Sequence, residues 1–289
     1  MKIAVEHDYI EANGVRLHVA KKGKGEKLVI LLHGWPEFWY TWRYQIEVLS
    51  DDYTVVAPDM RGFNDSDKPK GIENYKADVV AKDIAELIEN LGFEKAFVVG
   101  HDWGGAVAWA VAALYPERVE KLAVLNCPHP REMVKALKSN PRQMMRSWYF
   151  IPHQIPVLPE WFLGRNLPWL FKSSLRGWMY NKDYFTDEDL NAFVEAYSKE
   201  GALTGSINYY RAAIQTKPNT VVFKNKIQCP TMMIWGEGDK ALGKELTYNT
   251  QKYIDAPFEI HYLQKCSHWV QNDCPHEVNT FLLKFLAHS

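Results

Sequence analysis

Paired cysteines, charge of one sign and long apolar runs are all scarce in this chain. Its four cysteines, Cys127, Cys229, Cys266 and Cys274, have neither metal-like pairing nor the density of a disulfide scaffold. They read as free thiols of a reducing compartment. A formal net charge of -1 points to neither a nucleic-acid groove nor an anionic membrane surface. No apolar run reaches the roughly 18 residues of a membrane span. The opening MKIAVEHDYI places Glu6, His7 and Asp8 where a secretion signal needs unbroken apolar residues. A cytoplasmic location is the expectation. His7, His18 and His33 are scattered over different segments and no cluster has metal-site spacing, so neither metal nor cofactor is expected.

Aromatic residues are plentiful: 11 Trp, 15 Tyr and 13 Phe in 289 residues. That length suits one large α/β domain or a domain with a substantial insertion. Short continuous apolar runs recur at LVILL (28–32), YTVVAP (53–58), AFVVG (96–100), LAVLN (122–126) and TMMIW (231–235). Continuity rather than alternation is the pattern of strands covered on both faces. Between two of them Val80, Ile84, Leu87, Ile88 and Leu91 recur at helical spacing, with Gly92 as the stop. Strands alternating with helices imply a mainly parallel sheet with helices on both faces. Asn13-Gly14 between two β-like segments adds an antiparallel hairpin at one edge.

The rhythm breaks near residue 130. Positions 141–185 hold eleven aromatics and repeated prolines without a sheet-like run. Thr186 followed by Asp189 then signals a capped helix, and the α/β rhythm resumes at KIQCPTMMIWGEGD. Residues 130–225 therefore read as a helical cap inserted into a core of residues 1–129 and 226–289. An apolar lid over strand-end loops excludes water from a site there.

GHDWGG, at 100–105, directly follows a buried strand. Its glycines have the spacing of a nucleophile elbow, with Asp102 at the nucleophile position. An aspartate before a helix is also an ordinary N-cap, but two distant features favour chemistry. Asp239 ends MMIWGEGD just past a late strand, and His268 lies in the loop after the last one. Nucleophile, acid, histidine is the chain order of α/β-hydrolases. His261, inside strand-like EIHYL, reads as structural. HGWP (33–36) ends another strand, where its turn aims backbone N–H groups at the same point.

A carboxylate nucleophile attacks sp3 carbon and forms an alkyl ester, which water activated by His268 can hydrolyse while Asp239 orients the imidazole. The leaving group is then a halide or a strained epoxide oxygen. An epoxide oxygen wants an acid, and a tyrosine hydroxyl from the cap can supply one. Composition does not select among the tyrosines.

HGWPEFWYTWR, VVAPDMRGFNDSDKP, GHDWGG, SWYFIPHQ, SINYYRA, WGEGD and SHWVQNDCP together resemble the α/β-hydrolase-fold epoxide hydrolases, especially bacterial soluble ones. The matches span roughly residues 8–286. The resemblance implies an eight-stranded, mostly parallel sheet under a helical cap. It also implies Asp102 as nucleophile, Asp239 as charge-relay acid and His268 as base. The backbone N–H groups of Trp35 and Trp103 form the oxyanion hole it implies, and Tyr149 and Tyr209 the epoxide-activating pair. Tyr210 is the neighbour with which Tyr209 is open to confusion. Two departures stand out: Ser267 where glycine is common before the histidine, and Asn64 in RGFNDS where glycine is more usual.

The implied partners are a small neutral, mostly apolar epoxide and water; nucleic acid and membrane are not expected, and a homodimer stays open. A haloalkane dehalogenase is the rival reading. Trp35 replaces the asparagine many of those enzymes use as halide donor, and Trp103 replaces the arginine of fluoroacetate dehalogenases. A non-catalytic ligand-binding hydrolase fold is the second rival, against which stands an unbroken triad.

Overall fold

A computed structural model describes residues 3–216 and 224–287. Eight strands form one sheet: β1 (Glu6–Ala12), β2 (Val15–Lys22), β3 (Leu28–Leu32), β4 (Thr54–Pro58), β5 (Ala96–His101), β6 (Val119–Leu125), β7 (Thr231–Gly236) and β8 (Phe258–Leu263). Their spatial order is β1-β2-β4-β3-β5-β6-β7-β8. The β1–β2 hairpin turns at Asn13-Gly14, and β2 is antiparallel to both its neighbours. All remaining pairs are parallel. Every residue of β3, β5 and β7 is buried, so both sheet faces are covered, as continuous apolar runs require. Helix α1 (Arg43–Leu49) packs with the C-terminal helix Pro275–Ala287, and α2 (Ala77–Asn90) with α3 (Trp103–Leu114).

Strand order reverses at β3: the chain leaves it for β4 on one side and returns to β5 on the other. Crevices at such a switch point are where open α/β sheets bind ligands. Leu32 pairs with Gly100, which sets the HGWP turn beside the elbow.

Among the described residues, the chain between β6 and β7 contains helices and turns but no sheet strand. The helices are α4 (Pro130–Ser139), α5 (Pro141–Arg146), α6 (Phe150–His153), α7 (Leu158–Gly164), α8 (Leu167–Phe171), α9 (Asp187–Ser198) and α10 (Ala202–Gln215). The end of the expected cap, 217–223, lies outside the described residues. Thr186 caps α9: its side chain accepts from the Asp189 N–H at 3.2 Å, and the Asp189 carboxylate accepts from the Thr186 N–H at 2.7 Å. Proline opens α4, α5 and, one position in, α7 and α8, where its missing N–H has no helical partner to lose. The aromatic-rich cap is thus a set of short helices.

Candidate active site

Asp102 joins β5 to α3 with φ 50° and ψ -120°, a conformation uncommon for any residue but glycine. Such strain is the mark of an elbow that holds its side chain above the sheet. The turn closes only because Gly104 has no Cβ, which would lie 2.2 Å from the Leu32 carbonyl oxygen. The Trp35 N–H donates to Asp102 Oδ1 at 2.9 Å. Trp103 is the first residue of α3, so its N–H is among those without an intrahelical acceptor.

His268 Nε2 lies 3.4 Å from Asp102 Oδ2, and its Nδ1 lies 2.6 Å from Asp239 Oδ2. Asp239 is fixed by more than the histidine. Its Oδ1 accepts from the N–H groups of Ala241 and Leu242 at 2.7 and 2.9 Å, and its Oδ2 from Asn126 Nδ2 at 2.7 Å. Burial alone would lower the His268 pKa, but Asp239 and Asp102 outweigh it and hold the imidazole up to about 10. Burial likewise opposes ionisation of Asp102, yet His268 and the Trp35 N–H keep its carboxyl below the ordinary range. The two carboxylates therefore favour the protonated imidazole.

Three partners of this triad went unread in the sequence. Asn126 follows β6 and bridges Asp239 to the Gly236 N–H, which donates to its Oδ1 at 2.8 Å. His101 donates from Nε2 to the His268 carbonyl at 2.9 Å, and its Nδ1 lies 2.8 Å from Glu37 Oε2. Glu37, fully buried, also accepts from the Gly34 N–H at 2.9 Å and from Gln271 Nε2 at 2.8 Å. One carboxylate thus ties the HGWP turn, the elbow strand and the histidine loop together. The available signal was a polar or charged residue at the end of an otherwise apolar strand or turn.

Of the two cap tyrosines, the structure brings one to Asp102. Tyr149, just before α6, lines a cavity of about 410 Å3 together with Asp102, His268, Trp35, Trp178 and Trp269. Tyr210 lines it too. Tyr209 does not: its hydroxyl donates to the Arg61 carbonyl at 3.0 Å, and its ring packs on Phe63 and Tyr75. Of the expected pair, Tyr149 thus lies beside Asp102 and Tyr209 does not; Tyr210 occupies the place expected of Tyr209. Adjacent helical residues point about 100° apart, so one tyrosine of the pair faces the cavity and the other the core. Both are buried alike, which is why apolar patterning did not separate them. Burial, then the charge of Asp102, pushes the Tyr149 and Tyr210 hydroxyls well above their ordinary range and keeps them protonated.

Other histidines have different surroundings. His261 stacks on Phe281 with ring centroids 4.1 Å apart. His153 packs against Tyr210, and burial, then Arg211, lowers it to about 4, so it is a poor source of protons near neutrality. His7 and His18, scattered in sequence, meet across the hairpin: His7 Nδ1 lies 2.9 Å from His18 Nε2, and His18 Nδ1 lies 2.6 Å from Asp59. With Asp65 close by, they form a polar cluster in which protein partners already engage both His18 nitrogens. Ser267 lacks a left-handed backbone, and Lys265 with φ 50° makes the turn instead. A glycine is therefore not required at 267. Asn64 has φ 38°, a conformation asparagine tolerates better than most residues.

Residues 27–273 match the family model of the alpha/beta hydrolase fold. The chain belongs to that family and, within it, to the epoxide hydrolases. Human epoxide hydrolase 4 is 39% identical over 282 residues, covering 96% of this chain and 77% of the human protein. The Bacillus subtilis AB hydrolase superfamily protein YfhM is 39% identical over 288 residues, covering 98% of each chain. The crystal structure of a Bacillus megaterium epoxide hydrolase in complex with an inhibitor matches with a TM-score of 0.85 at 32% identity, covering 97% of this chain and 100% of that one.

Proposed function

We propose that the protein converts neutral, mostly apolar epoxides to vicinal diols through a covalent ester on Asp102. The observation that carries this reading is the placement of Asp102, His268 and two protonated tyrosines around one aromatic-lined cavity. Asp102 Oδ2 attacks a ring carbon and the C–O bond breaks. Tyr149 and Tyr210 stabilise the leaving alkoxide, one donating its proton and the other a hydrogen bond. The site thereby loses one of the two negative charges that hold His268 protonated. Its pKa falls and it gives up its proton, which restores the hydroxyl of the tyrosine that protonated the alkoxide; the neutral imidazole can then take a proton from water. Water then attacks the ester carbonyl, and the oxyanion so formed is met by the backbone N–H groups of Trp35 and Trp103. Asp239 keeps the ring oriented throughout.

The test is one turnover in H₂¹⁸O. The first diol should carry unlabelled oxygen and Asp102 should acquire the label, because water attacks the carbonyl carbon. Label in the first diol with an unlabelled Asp102 would mean direct attack by water. His268→Gln should alkylate and then stall, leaving an adduct visible by mass spectrometry. Styrene oxide offered beside a comparable haloalkane separates the dehalogenase reading: faster halide release than diol formation would favour it.

A further inference from the structure

The catalytic cavity opens onto an unusual surface. Met145, Arg146 and Trp148 line it, yet Met145 and Trp148 are 76% and 66% exposed. The short cap helices that follow carry more exposed apolar residues: Ile151 on α6, Trp161 and Phe162 on α7 and Trp169 on α8. The Phe162 and Trp169 rings meet at 6.2 Å and join α7 to α8. Exposed apolar groups gathered on one set of short helices are the mark of contact with a protein or a membrane.

Charge distinguishes the two. Residues 131–180 carry eight lysines and arginines against two carboxylates, while the rest of the chain carries 26 against 33. Both carboxylates are engaged: Glu132 is buried and accepts from the Tyr253 hydroxyl at 2.5 Å, and Glu160 pairs with Arg211 at 2.6 Å. Arg142, Arg146, Arg165 and Lys172 are exposed among the apolar groups, and Arg165 lies 4.0 Å over the Trp161 ring.

We propose that this cap face docks reversibly on an anionic lipid bilayer with the mouth of the catalytic cavity turned towards it. Tryptophan and isoleucine enter the boundary between headgroups and acyl chains while the guanidinium and ammonium heads meet lipid phosphates. A second copy of the chain fits less well, since a two-fold contact would set this basic patch against itself. Attachment is peripheral: among the described residues no helix is long and apolar enough to cross a membrane. Docking rests on the face alone. Its consequence, that an apolar epoxide passes from the bilayer to Asp102 without crossing bulk water, rests on the epoxide-hydrolase reading.

Flotation tests the docking with two sets of vesicles, pure phosphatidylcholine and phosphatidylcholine mixed with phosphatidylglycerol. The protein should float with the mixed vesicles about tenfold better, lose that binding as salt rises, and show tryptophan quenching by brominated acyl chains. Two triple variants, Arg142→Glu/Arg165→Glu/Lys172→Glu and Ile151→Gln/Trp161→Gln/Phe162→Gln, should each lose about tenfold in vesicle binding with circular dichroism unchanged. Both should hydrolyse a water-soluble epoxide at the native rate. Vesicle binding without any epoxide turnover would leave the docking standing and sink the catalytic reading. Native protein that stays unbound, or variants that float as well as it does, would overturn the docking. So would a dimer, seen by ultracentrifugation of protein that does not float, that the apolar variant dissociates.

Discussion

Two neighbouring hydroxyls make the sharpest contrast at the scale of single residues. Tyr210 faces the cavity of Asp102, whereas Tyr209 is bonded to the Arg61 carbonyl. Tyr210→Phe should slow epoxide opening by about 10²–10⁴-fold, the usual contribution of a general acid. Tyr209→Phe should leave that rate near wild type and cost about 1 kcal/mol of stability through one lost hydrogen bond. Rapid-mixing kinetics and urea unfolding on the two variants check both halves. His268 gives a second prediction. Its folded pKa, about 10, lies above the ordinary 6.5, so the stability it contributes is full below 6.5 and is lost as pH rises through 10. The Tm gap between wild type and His268→Gln should therefore be widest below 6.5 and close near 10, as a calorimetric pH series would show. The positions of Asp102, Asp239 and His268 were legible because each follows a strand in a fixed chain order. The choice between Tyr209 and Tyr210 was not, since it depends on how α10 is rotated about its own axis.

Elements set that rotation through one close approach. Gly205 of α10 is pressed against the Gly62 loop so tightly that a Cβ on it would lie 2.4 Å from the Gly62 carbonyl oxygen. Tyr210 is five residues further along the same helix. Gly205→Ala should push α10 off the core, destabilise the fold by about 1–3 kcal/mol as overpacking does, and lower kcat by displacing Tyr210. Thermal unfolding and steady-state rates on one preparation would show both; an unchanged kcat would mean that α10 relaxes elsewhere. The same scale shows what apolar patterning reaches. LVILL was read as a strand at 28–32 and is β3, and Thr186 caps α9 through the contacts its spacing implied. The short cap helices were readable only as an absence of strands, because proline-broken segments of four to seven residues carry too little periodicity.

For the molecule as a whole, the join between cap and core combines aromatic packing with a buried polar contact. Arg43 of α1 and Asp189 of α9 pair at 3.2 Å with neither side chain exposed, and Arg43 also donates to the Tyr184 carbonyl at 2.7 Å. Arg43→Met removes one member and leaves a buried charge, so stability should fall by about 3–5 kcal/mol, measurable by denaturant titration. None of this was visible in the sequence, where the two residues are 146 positions apart. Net charge was informative only as an average: a value of -1 concealed a basic cap on an acidic remainder. The triad spans a comparable distance. Asp102 follows β5, Asp239 follows β7 and His268 follows β8, the outermost strand of its edge. Catalytic competence is consequently expected to come late in the life of the folding chain. Backbone order can be nearly complete while the histidine has yet to dock, because non-local pairings form slowly. During refolding, turnover should return after the far-ultraviolet signal does, which makes the enzyme a reporter of the closing of its own sheet.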